Sequence, residues 1–532
     1  MPRVRSLPLV LLAVLPLWTG CQSQAPSSSS GDAASADTLA GRYATTRLDA
    51  DLGALSDGQR EQVSLFVEAA QAMDAVFWEQ AYGNRDSLLQ SIADPPRRRY
   101  AALNYGPWDR LRGGAPFVAG AGPRPPGANF YPAGLTADAL RRAARTTDAL
   151  DAPTTMVRRL PDGSLTALPY HLFFAEALTT ASGRLQEAAR LAPTDAQRAS
   201  LERRAEALTT GDDAAATGPG PPDGTVGLVI GSVPTGEDRL LGVKASATAL
   251  VWRRAPARTQ RLARIERQMP ALWSPLPVPD SLRPAPPTYD AAAYDALYVA
   301  GGLNAGPKPL ALSGAFAPQA PPAPDRRLLL LANVVRATAD TLLRPLADAV
   351  LAEPLRPAVT ADALFDLTAL RQAARTALPD TASALRTAGA ADALSLLLAP
   401  ALAARTDGGP DTTAYYATGL ARLVHTLRVD STAAPGRAAR ASLRFLRERG
   451  ALAADGERLT VAPDTMARAL PALARAWLRP PAAATLAERP DASLPELRAA
   501  LRRLERAGVP VALAFEQGPS VLRGLAPATA AR

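Results

Sequence analysis

Residues 362–398 read DALFDLTALRQAARTALPDTASALRTAGAADALSLLL. Leu364, Leu367, Leu370, Ala374 and Leu378 recur at steps of three and four, the spacing that gathers apolar side chains on one face of a helix. Pro379-Asp380 ends that helix, because proline lacks an amide proton and disfavours α geometry at the residue before it. Thr381 is placed to cap a second helix running through Leu385, Ala388, Leu394 and Leu397 to Pro400. Two helices joined by a tight turn can build a site from both sides. Yet this pair contains no His and no Glu, and its most polar facing run is Arg371-Gln372-Ala373-Ala374-Arg375.

Composition extends this pattern to the whole chain. The 532 residues are 47% hydrophobic and only 5% aromatic, with 50 Pro, as expected for Ala/Leu helices joined by Pro-rich loops in two or more domains. The net charge of +9 comes mostly from scattered Arg. The one basic triplet, Arg97-Arg98-Arg99, has no interleaved aromatics and reads as a solvated loop, so no nucleic-acid partner is expected. A single Cys excludes an internal disulfide and a Cys-rich metal site. A His₂-carboxylate zinc site would need both histidines, His171 and His425, which lie about 250 residues apart in segments of different character. Both read as structural or ordinary helix residues.

Residues 1–20 have the layout of an export signal: Arg3 and Arg5, an apolar stretch over 7–18, then Thr19-Gly20. About 12 apolar residues are too few to span a bilayer as a helix. Leu17-Trp18-Thr19-Gly20-Cys21 resembles a bacterial lipoprotein signal, which makes Cys21 the expected lipidated N-terminus and the membrane an expected partner. An ordinary secretory leader followed by a free Cys is the alternative. The Ser/Ala-rich residues 21–37 then form a flexible tether.

The folded part is expected from residue 38, with a helix over 56–81. Three runs follow: Ala72-Met73-Asp74-Ala75-Val76-Phe77-Trp78-Glu79-Gln80-Ala81-Tyr82-Gly83-Asn84, Asn104-Tyr105-Gly106-Pro107-Trp108-Asp109-Arg110-Leu111, and Gly127-Ala128-Asn129-Phe130-Tyr131-Pro132. They resemble the envelope-lipoprotein branch of the dipeptidyl peptidase III family of zinc metallopeptidases. The resemblance continues through Ile230-Gly231, Glu237-Asp238, Leu241-Gly242 and Lys244-Ala245. It runs on through Tyr294-Asp295-Ala296-Leu297-Tyr298, Asn304-Ala305-Gly306-Pro307-Lys308 and Asn333-Val334-Val335 to Gly436-Arg437-Ala438 and Val509-Pro510-Val511.

The resemblance implies a mainly α fold with a smaller mixed α/β part, in two lobes around a cleft. Residues 38–250, 288–335 and 490–532 would form the mixed lobe, and 251–287 with 336–489 the helical lobe. It also implies a zinc ion held by a His-Glu-x-x-His helix and a Glu from the next helix. There, two His one turn apart grip the metal and the Glu activates a metal-acidified water.

This chain departs from the family at those positions. The two metal His fall on Arg371 and Arg375, the catalytic Glu on Gln372 and the third ligand on Ala388; the acid at the end of that motif, Asp392, remains. In the signature loop the family's amine-binding Glu falls on Pro234, its oxyanion Tyr on Gly236 and a helix Glu on Thr248. In the Ala-His-Gly-Arg-like motif the His is Pro435, and two cleft Asn become Ser313 and Phe316. Packing and turn residues fit the family, while residues that would hold metal, water or substrate do not. The expectation is a lipid-anchored pseudopeptidase of the bacterial cell envelope, on the periplasmic or outer-membrane face, without zinc. Its cleft, with Asn304, Ser313, Phe316 and Asp392 expected to line it, would be available to a peptide or protein partner. The alternative is an active metallopeptidase or hydrolase with a rebuilt site.

Overall fold

The computed structural model describes residues 39–48, 50–212, 224–287, 290–313, 327–379, 382–488 and 495–517. The signal, the tether, Cys21 and Phe316 lie outside them. Strand β1 (Tyr43–Arg47) is followed by α1 (Asp57–Ala81), where Ser56 and Gln59 cap each other's backbone amides and satisfy donors the first turn leaves open. Arg97, Arg98 and Arg99 do not form the expected loop. They sit in helix α2 (Pro95–Asn104), started by the Asp94 side chain on the Arg97 amide. Helix α3 (Ala175–Arg190) packs against α1 and α4 (Asp195–Thr210) packs against α3, so that Phe66, Phe77, Leu185 and Ala205 share one buried core.

A five-stranded sheet joins this core to the rest. It contains β2 (Val226–Val233), β3 (Ser246–Arg254), β4 (Asp290–Gly301), β5 (Ala311–Ser313) and β6 (Arg327–Leu331), in the order β2-β3-β4-β6-β5. β6 runs parallel to β4, and the other pairings are antiparallel. Side chains alternate across it: Leu228 and Ile230 face the α1 core, while Val229 packs on the opposite face with Leu250 and Trp252. β4 is buried from Ala291 to Gly301, as a strand covered on both faces must be. β7 (Ala512–Glu516) lies parallel to β1, bringing the two described ends together.

The second large core is helical. Helix α5 (Pro256–Trp273) leads into it. The run 332–350 follows β6 and takes a π turn over Ala339–Leu343, a rare form that often marks a functional wall. Then come α6 (Ala361–Thr376), α7 (Ala384–Ala403), α8 (Thr412–Val429), α9 (Ala434–Glu448), α10 (Pro463–Leu478) and α11 (Pro495–Arg506). α6 and α7 are the helix pair expected from residues 362–398, with two differences. Ser383, not Thr381, caps α7, its hydroxyl accepting from the Arg386 amide. α7 also passes through Pro400 and ends at Ala403. It is long and apolar enough to cross a membrane, but that surface is used in packing against α6, α8, α9 and α10.

Two contacts fix α6 and α7 in place. Arg261 of α5 forks onto both oxygens of the buried Asp366, at 2.7 Å each, and the Tyr415 hydroxyl donates to the same carboxylate at 2.6 Å. Gly389 leaves room for the ring of Trp477, since a Cβ there would lie 2.3 Å from it. Within the described residues 495–517, Leu497, Ala500 and Leu504 of α11 join the helical core, while β7 pairs with β1.

Candidate functional site

A cavity of about 380 Å³ opens where α6, α8, the start of α9, the π turn and the loop into β5 converge. Arg371, Gln372 and Arg375 face it from α6, since positions i and i+4 share a helix face. Arg422, His425 and Thr426 face it from α8, Pro435 and Gly436 from α9, and Lys308 from the loop. Leu310, Leu342, Leu364 and Leu513 supply much of the apolar wall.

Its charge is organised around a residue that does not face it. Asp392 of α7 is buried behind the wall; there its Oδ1 accepts Arg371 Nε at 2.5 Å and both Arg422 terminal nitrogens at 3.0 Å. Burial alone would raise this carboxyl, but Arg422 and Arg371 overcome it and hold it below the usual carboxylate range. Asp392 is therefore not a cleft-lining residue, because two guanidinium groups draw it inward.

His425 lies on the cavity wall. Its Nε2 is 2.9 Å from the Val511 carbonyl, so that nitrogen carries the proton and donates. Burial, together with Arg428 and Arg422, lowers its imidazole to about 4, leaving it neutral near pH 7. Asp430 accepts the Thr432 amide and hydroxyl and the Ala433 amide on Oδ1, at 2.7–3.0 Å. Gly436 admits the Asp430 carbonyl, which a Cβ would meet at 1.9 Å. Pro435 fits the first turn of α9, where its missing amide proton has no partner to lose.

The remaining expected positions lie elsewhere. Ala388 is buried in the α7 packing and does not reach the cavity. Gly236 is exposed in the turn after β2, at φ +75°. The Asn304 side chain turns away to donate to the Tyr105 hydroxyl at 3.0 Å, and that hydroxyl donates to Asp74 at 2.5 Å. Ser313 ends β5 on the sheet edge. His171 borders a small separate cavity of about 20 Å³ beside Gly211.

The signature segment after β2 is a structural knot. Arg110 forks onto Glu237 at 2.6 and 3.0 Å, and Arg124 joins it. Burial would raise the Glu237 carboxyl, but these two arginines pull it down to about 2. Asp238 collects the amides of Leu240, Leu241, Val243 and Lys244 and the Tyr131 hydroxyl. Lys244 is buried, with its ammonium on Leu150 O, Ala152 O and the Thr155 hydroxyl.

Solved structures share this arrangement of cores and sheet. The dipeptidyl peptidase III structure from Caldithrix abyssi is 25% identical with a TM-score of 0.84, and the superposition covers 92% of this chain and all of that one. The chain has the dipeptidyl peptidase III fold. A second such structure, from a Corallococcus strain, is also 25% identical, with a TM-score of 0.78, 93% of this chain covered and 98% of that one. Among curated proteins, Nudix hydrolase 3 of Arabidopsis thaliana is 24% identical over 391 residues, 62% of this chain; the chain spans half the length of that relative. No protein-family model matches the chain.

A dipeptidyl peptidase III fold implies zinc, and the donor set does not fit it. Among the described residues, no group of three or more His, Cys, Asp or Glu side chains stands where it could hold a metal ion. The cavity instead presents Arg371 and Arg375, whose permanent charge repels a cation in a partly buried wall. Sequence reading missed the Arg422 contribution, because only the fold carries α8 to α6.

Proposed function

We propose that this chain is a lipid-anchored dipeptidyl peptidase III-like pseudopeptidase, held in the cell envelope through Cys21, whose cavity retains a peptide or protein partner instead of cutting it. The observation that carries the reading is the pair Arg371 and Arg375, one helical turn apart on the cavity wall, where the resemblance would place two metal-binding His. Gln372 between them is buried and bears an amide in place of the carboxylate that would activate water. Asp392 is spent on Arg371 and Arg422, and His425 donates to a backbone carbonyl.

The test is peptide hydrolysis by the purified chain, with and without added zinc. The expected result is no dipeptide release above buffer. Turnover abolished by a chelator would establish a rebuilt metallopeptidase instead. Cys21→Ser should move the protein from the membrane to the soluble fraction; an unchanged distribution would remove the lipid anchor from the reading.

A further inference from the structure

The wall that fails as a cation site has unused donors. Arg371 spends only its Nε, on Asp392, so among the described residues its two terminal nitrogens make no hydrogen bond. Arg375 is exposed and makes no hydrogen bond or ion pair with any described residue. Lys308 gives its nitrogen to the carbonyls of Asn304 and Gly306 and lies over the Phe515 ring, so the free donors are those of the two arginines. Facing these donors, the lining contributes one acid, Asp430, whose Oδ1 is committed to its own turn. Asp392 behind the wall is one carboxylate shared between two guanidinium groups. The cavity is thus left with uncompensated positive charge.

The remainder of the wall is apolar, supplied by Leu310, Leu342, Leu343, Leu364 and Leu513. Repulsion among Arg371, Arg375 and Arg422 costs free energy that a bound anion would offset. A guanidinium offers paired N–H donors that match a carboxylate in shape as well as charge. Apolar side chains around such a pair favour a ligand with an apolar body over a small hydrated ion.

We propose that the cavity beside α6 binds a carboxylate carrying an apolar body, with Arg371 and Arg375 holding the carboxylate and the leucine wall the body. The proposal rests on the reading that this wall holds no zinc. A peptide C-terminus with an apolar side chain and a fatty acid share that chemistry, and the test separates them.

Calorimetric titration of the purified chain would use four probes: Leu-Leu, Leu-Leu amide, octanoate and inorganic phosphate. Leu-Leu or octanoate should bind, and phosphate should bind at least about tenfold more weakly, a difference of about 1.4 kcal/mol. Preference for Leu-Leu over its amide assigns a peptide terminus; binding of octanoate alone assigns a fatty acid. Arg375→Met, which breaks no hydrogen bond or ion pair with a described residue, should weaken the preferred probe about tenfold while leaving the thermal midpoint unchanged. Arg371→Met should weaken it further. Phosphate binding as tightly as octanoate, Leu-Leu binding no better than its amide when octanoate also fails, or Arg375→Met binding like the parent would each overturn the proposal. Zinc content measured on the same sample separates the two levels. Zinc present means that the metal-free reading has failed; zinc absent with no carboxylate bound means that only this inference has.

Discussion

Arg371 donates its Nε to Asp392 Oδ1 at 2.5 Å across the contact between α6 and α7, and the same oxygen receives both terminal nitrogens of Arg422 from α8 at 3.0 Å. Two helices of the wall, α6 and α8, are pinned to α7 behind it through one buried carboxylate. Removing it strands two guanidinium groups in a poorly solvated place.

Asp392→Asn should therefore destabilise the chain by about 3–5 kcal/mol, read from denaturant midpoints. Replacing the whole set with apolar side chains (Asp392→Leu, Arg371→Met and Arg422→Met together) should cost less than the single change, because no orphaned charge remains. A triple variant as unstable as Asp392→Asn would contradict this.

Acid stability should depend on Glu237. Its carboxyl is held at about 2 in the folded chain against an ordinary value of 4.5. Between these limits the unfolded chain binds more protons, so this group's stabilisation is complete above about 4.5 and is lost as the pH falls toward 2. Glu237→Gln should flatten the dependence of the denaturant midpoint on pH below about 5, and cost on the order of 3 kcal/mol at neutral pH. A variant that retains the parent's slope would locate the acid sensitivity elsewhere.

Gly389→Ala should cost about 1–3 kcal/mol and perturb tryptophan fluorescence, because the new methyl would fall 2.3 Å from Trp477, whose indole nitrogen is tied to the Ser442 hydroxyl at 3.0 Å. An unchanged melting temperature would mean that α7 and α10 part more easily than their packing implies.

Much of this fold was legible in the sequence, and the reasons are local. Three- and four-residue spacing of Leu and Ala marks α6 and α7, and α1 fills the helix expected over 56–81. Two errors at the α6–α7 pair have physical causes. Thr381 and Ser383 are both competent caps, and the choice depends on where packing starts the helix. Pro400 lies in α7, whose apolar surface packs against its neighbours and carries the helix past a poor residue. Arg97–Arg99 read as loop because charge hides helix periodicity, while Asp94 before Pro95 and Pro96 was the missed start signal. In the site, Arg371, Gln372 and Arg375 were visible on one helix. Arg422 and His425 were not, because they meet α6 only through the tertiary fold. Asp392 was expected in the cleft, but pairing with two arginines draws it inside.

If the cavity occupies the family's metal position, restoring the ligands should restore the metal. A chain carrying Arg371→His, Gln372→Glu, Arg375→His and Ala388→Glu should take up zinc that the parent does not, since two His at i and i+4 and a Glu from the next helix meet the needs of a tetrahedral site. Failure to bind zinc in a folded variant would mean that α7 does not bring residue 388 to α6 in the required geometry.

The most direct test of the central claim is metal content by mass spectrometry on the purified parent chain, expressed with zinc supplied. The account predicts far less than one zinc per chain. One zinc per chain, retained through dialysis, would contradict it and place a metal site on residues other than Arg371, Arg375 and Ala388.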